Sequence, residues 1–123
     1  MKNTIKIFAA IMIMLTMLVT GCQSNEQKYA ELKNDTIKTL DTMYKEIEAN
    51  EKVSKAVTSQ EKGKEDYELF YKKHMPKVVE NLKKMEELSQ KDVKLTNDLQ
   101  MFKSNKTNRA VNNYKLYEKN YGK

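Results

Sequence analysis

Two kinds of apolar pattern divide this chain. Residues 7–19 form an almost unbroken apolar run of thirteen, with no polar period, behind Lys2 and Lys6. Beyond Cys22 the apolar residues recur instead at intervals of three and four: Tyr29, Leu32, Thr36, Leu40, Met43 and Ile47, with Ile37 and Tyr44 widening the stripe. That spacing predicts a helix over residues 26–57, with Lys33, Asp41, Lys45, Glu48 and Lys52 on its wet face. The polar run 58–64 contains Gly63 and predicts the turn of a helical hairpin. A second helical series follows from Glu65, with Tyr67, Phe70, Tyr71 and His74, then Val78, Leu82, Met85, Leu88, Leu95, Leu99 and Phe102. Pro76 interrupts it, because proline lacks the backbone donor and crowds the preceding turn; a kink or break is expected between His74 and Lys77. Residues 104–108 offer several N-cap side chains. They predict a last helix over 107–120, burying Ala110, Val111, Tyr114, Tyr117 and Tyr121.

No window alternates with period two, and beyond residue 21 the chain has no Trp, one Pro and two Gly among long Lys/Glu-rich stretches. That composition suits helices and not sheets. The expected fold is all-α: a small antiparallel helical bundle of three main helices, the second kinked or broken at Pro76. Seven tyrosines and few phenylalanines supply a slender core, with ring hydroxyls that must reach water or a partner.

The first apolar run has the physical parts of a secretory signal: a basic start, an apolar core, and small residues ahead of a cleavage point. Thirteen residues at about 1.5 Å rise reach only about 20 Å, short of the roughly 30 Å that a permanent helix must span. The run ends in Val19-Thr20-Gly21-Cys22. This tetrad is similar to the lipobox of bacterial lipoproteins, in which an aliphatic residue and two small ones precede the cysteine. The resemblance covers the first twenty-two residues. It implies that Cys22 receives a diacylglyceryl group, that cleavage falls between Gly21 and Cys22, and that the mature chain is held on the extracytoplasmic face of the cell membrane. Thr20 and Val19 depart mildly from the commoner Ala or Ser and Leu. The alternative is an uncleaved apolar anchor with an incidental cysteine.

The expected organisation is therefore a removed signal peptide (1–21), a lipidated tether (22–27) and a helical domain (28–123). Removing residues 1–21 leaves 102 residues, enough for one small domain, with 21 basic against 17 acidic side chains. Only Arg109 among the basic residues is an arginine. Together with the lipobox, this Lys- and Asn-heavy usage resembles the small Lys-rich lipoproteins of low-GC Gram-positive bacteria, some of which are described as cell-wall-binding.

Chemistry-bearing constellations are sparse. With Cys22 acylated, the chain offers one imidazole, His74, and no thiol, so neither a metal site nor a His-dependent nucleophile is expected. No Gly-rich phosphate loop occurs, and acidic pairs such as Glu86-Glu87 on Lys-rich helices read as exposed ion pairs. No cofactor and no enzymatic activity are expected. Lysines do cluster: Lys72, Lys73 and Lys77 lie around Pro76, and Lys103, Lys106, Arg109, Lys115 and Lys119 toward the C-terminus. Such clusters serve solubility, or contact an anionic wall polymer through Lys72, Lys73 and Lys77; specific nucleic-acid recognition is not expected.

The leading expectation is a membrane-anchored interaction module that binds an envelope protein or an anionic wall polymer. An accessory or exclusion lipoprotein of a mobile element is a second expectation. A third places activity in the discarded segment 14–21, an apolar octapeptide of the kind exported as a pheromone.

Overall fold

The computed structural model describes residues 24–122, and all of the regular structure there is helical. The expected signal peptide, the Gly21/Cys22 cleavage point and Cys22 itself lie outside the described residues. Helix α1 (Asn25–Glu51) opens on a capping box: the Gln27 N–H donates to Ser24 Oγ at 3.2 Å, and the Ser24 N–H donates to Gln27 Oε1 at 3.3 Å. Residues 25–27, expected in the tether, are therefore already helical. Tyr29, Thr36, Leu40 and Met43 are the buried residues of α1, and Thr36 satisfies its hydroxyl on the Leu32 carbonyl at 2.7 Å.

At its other end α1 stops six residues before the expected limit. Val53 and Val57 are 73 % and 87 % exposed, so extending the helix would bury nothing. The Glu65 carboxylate instead ties down the connection, accepting from the Asn50 amide and from Ser54 Oγ. The run 58–64 is not the turn it was expected to be. Thr58 and Glu61 form a second capping box, with the Glu61 N–H donating to Thr58 Oγ1 at 3.0 Å, and they start helix α2 (Ser59–Asp66).

Gly63 is thus inside a helix. A Cβ there would stand 3.2 Å from Tyr117 Cε1 and 3.4 Å from the Tyr121 hydroxyl, so the glycine is where two rings lie against the backbone. Gly63→Leu should push those rings away and destabilise the domain by about 1–3 kcal/mol, the usual cost of overpacking. Thermal unfolding followed by circular dichroism at the helical band measures it. An unchanged midpoint would mean that the rings do not press on this helix.

From α2 the chain passes without interruption through a π-helical turn (Tyr67–Tyr71), whose i→i+5 bond runs from the Lys72 N–H to the Tyr67 carbonyl, into α3 (Lys72–Lys91). The irregularity in this second rod is that π turn. Pro76 sits inside α3 on the exposed side, where water can satisfy the carbonyl that proline leaves without a donor, and the helix continues through it.

The second rod ends at Lys91 and not near Phe102. Asp92 is extended, and its Oδ1 accepts from the Lys94 N–H at 3.2 Å, starting α4 (Lys94–Phe102). The residues expected to form a loop before the last helix are a second π turn (Lys103–Thr107) leading directly into α5 (Asn108–Tyr121). Three long helical rods result, the first and third parallel and the middle one antiparallel to both, so the protein is a small all-α bundle.

Two core clusters stack along it. One joins Leu40, Met43, Tyr67, Phe70, Tyr71, Met75, Val78 and Ala110. The other joins Tyr29, Met85, Leu95, Leu99 and Phe102, and the partly buried Leu82 packs against both. Three fully buried methionines, Met43, Met75 and Met85, fill the space between rods, whereas Met101 is 64 % exposed. The C-terminal tyrosines pack as expected against the second rod: Tyr114 stacks on Tyr67, and Tyr117 meets Tyr71 edge-on with centroids 5.1 Å apart. Among the described residues no helix is long and apolar enough to cross a membrane.

Candidate functional site

Two surface features gather the polar side chains that the sequence singles out. The first lies where α3 crosses α1, around Pro76. His74 Nε2 is 2.9 Å from Glu46 Oε1, Lys73 Nζ lies 3.9 Å from Glu46 Oε2, and Lys77 Nζ lies 3.1 Å from Asp35 Oδ1. The Asn81 amide donates to the other Asp35 oxygen at 2.8 Å. Partial burial would by itself raise the Asp35 carboxyl, but the Asn81 amide and the Lys77 ammonium outweigh it and hold the group below the usual carboxylate range. Asp35 therefore stays ionised opposite Lys77.

This arrangement brings Lys73, His74 and Lys77 to one shallow depression and gives Lys73 and Lys77 acidic partners. Lys72 is exposed, does not line the depression and forms no ion pair among the described residues. The three lysines consequently do not act as one patch. Their field toward an anionic ligand is weakened by Glu46 and Asp35, which sequence spacing alone could not place there.

The second feature is a cleft of about 270 Å³ between α1 and the second π turn. Its floor is Ile37 and Leu40; Asp41 and Tyr44 stand on one side, and Ser104, Asn105, Lys106 and Arg109 on the other. Within the π turn the Asn108 N–H reaches back to the Lys103 carbonyl, and buried Thr107 returns its own hydroxyl to the same carbonyl at 3.4 Å. The polar run 103–107 is thereby held as continuous helix and projects Lys106, with Arg109 a turn on, toward α1. Burial raises the Tyr44 phenol, the neighbouring Tyr71 hydroxyl adds to that, and the Arg109 guanidinium opposes it. The Tyr71 oxygen also accepts from the Asn113 amide at 3.4 Å.

Lys106 and Arg109 appear in the sequence only as members of a long basic series. Nothing local marks a π turn, so their alignment with Tyr44 across the cleft is a tertiary fact. The cleft combines a cation pair, hydroxyl and amide donors and a small apolar floor. It is suited to holding an anionic group at a wet surface. Among the described residues no three His, Asp or Glu side chains converge as metal ligands. In comparisons with known proteins, no family model, no curated protein and no solved structure matches this chain.

Proposed function

We propose that this protein is a lipid-anchored extracytoplasmic binding module, fixed to the cell membrane through Cys22 and presenting its helical bundle to an anionic wall polymer or an envelope protein. The observation that carries this reading is the join between anchor motif and fold. The lipobox residues Val19-Thr20-Gly21-Cys22 are followed after a single residue by the Ser24 cap of α1, so a folded bundle starts directly behind the acceptor thiol. The basic side chains that support anion binding best are Lys106 and Arg109 at the cleft, with Lys72 on its own, because Lys73 and Lys77 already face acids.

Binding of purified wall polymer to the full protein tests the ligand part. Affinity should fall between 0.01 M and 0.15 M salt, as the screening length shortens from about 30 Å to about 8 Å. Lys106→Glu with Arg109→Glu should weaken binding by roughly tenfold or more, given about 1 kcal/mol for each lost exposed contact and a similar repulsion gained. The pair Lys73→Glu and Lys77→Glu should cost less, and His74→Ala almost nothing. Salt-insensitive capture of one envelope protein would assign the module to a protein partner. Absence of polymer binding at low salt would remove the polymer from the reading.

A further inference from the structure

The end of the bundle that carries Ser24 also carries the corner between the second and third rods. Tyr29 on the first turns of α1 donates to Asp98 Oδ2 at 2.7 Å, Lys33 pairs with the same carboxylate at 3.0 Å, and Tyr29 and Leu95 share one core cluster. These contacts fix Asp92 and Val93 beside the start of α1. Val93 is 80 % exposed, an apolar tip between exposed Lys91 and Lys94, with exposed Lys28 on the neighbouring helix. The acids at this end are Glu26 and Asp92, and Asp92 Oδ1 is engaged by the Lys94 N–H at 3.2 Å. Three lysines thus stand against two carboxylates, one of them capping a helix.

The chain outside the structure says what covers this corner. From Cys22 to Ser24 are two Cα steps, at most about 7 Å of extended chain. That is less than the roughly 10–12 Å diameter of one helix. With α1 capped at Ser24 there is no slack to lift the bundle, so an acyl group on Cys22 brings its whole end face to the headgroups.

We propose that Val93 with Lys91, Lys94 and Lys28 forms a membrane-contact corner, seating the bundle on anionic phospholipid headgroups. The proposal rests on the reading of Cys22 as the acylated residue. Val93 enters the boundary between headgroups and acyl chains, while the lysines keep their ammonium groups among the phosphates and their methylene stems along the apolar layer. One valine and three lysines are too few to recruit the domain from water. The corner orients a protein that the lipid already holds, and leaves the tyrosine-rich end and the Lys106/Arg109 cleft facing outward.

The test uses the full protein, made in cells that process it, purified from their membranes and reconstituted into vesicles of phosphatidylglycerol and phosphatidylcholine. Nitroxide labels at Val93→Cys and, at the opposite end, Lys55→Cys are compared for collision with oxygen and with a water-soluble nickel reagent. The label at 93 should report lipid and the label at 55 water. Lys91→Glu with Lys94→Glu should shift the label at 93 toward water while the protein still floats with the vesicles. In unlabelled protein, amides 91–95 should exchange more slowly on phosphatidylglycerol than on pure phosphatidylcholine vesicles. Floating protein whose two labels are equally water-exposed would overturn the corner and leave the anchor standing. Protein that fails to float would overturn the anchor, and the corner with it.

Discussion

Cells producing Cys22→Ala should lose the protein from their membrane fraction, either by release or by accumulation of a larger precursor that keeps residues 1–21. The variant removes the one thiol in the chain and hence the one acceptor for a diacylglyceryl group. At about 0.8 kcal/mol for each buried methylene, two acyl chains hold a protein durably, whereas one chain alone binds reversibly. Nothing in residues 24–122 can replace that hold, since no helix there is long and apolar enough to cross the bilayer. Fractionation with an antibody to the bundle, alongside acyl labelling, reads the result. Normal cleavage together with undiminished membrane retention in the variant would refute the anchor.

Truncation after Asn113 should be the most damaging change to the fold itself. It removes Tyr114, which stacks on Tyr67 at 6.4 Å, and Tyr117, which meets Tyr71 edge-on. It also removes Tyr121, which lies against Tyr67 and donates its hydroxyl to the Gln60 carbonyl at 3.2 Å. Aromatic pairs contribute about 0.5–1.5 kcal/mol each beyond their burial, so three lost pairs come to roughly 3 kcal/mol. For a domain of this size that corresponds to a fall in melting temperature of roughly 12–24 °C. A truncated protein that melts like the intact one would mean that the tail is undocked in solution, and would return those rings to the surface as a binding patch.

Much of the fold was legible because burial imposes a helical period. Tyr29, Thr36, Leu40 and Met43 announce the buried face of α1, and Met75, Val78 and Met85 that of α3. The boundaries were harder, because the two strongest punctuation residues both sit within helices. Gly63 makes room for rings that arrive from the far end of the chain, and Pro76 faces water on a helix that tolerates it. The real corner, at Asp92 and Val93, has neither glycine nor proline, and the spacing from Leu88 to Leu95 crosses it in helical register. Two capping boxes, Ser24 with Gln27 and Thr58 with Glu61, were readable signals that locate the true helix starts. The candidate site was legible only as a list of cations. Which lysines keep an unopposed charge depends on Glu46 and Asp35, carried by another rod, and on a π turn that has no sequence signature.

Leu82 is the joist of a two-storey building. One storey is floored by Tyr29, Met85 and Leu95, the other is packed with tyrosines around Met75, and few side chains serve both. A load entering at Ser24 would pass first into the storey clamped by Tyr29 on Asp98, and would reach the aromatic storey only through that shared leucine and the continuous backbone of the rods. The lower floor is therefore able to strain or open while the upper one keeps its shape. For a domain tied at its base to a fluid surface, this confines agitation from below to the half that carries the fastening, and holds the outward half steady.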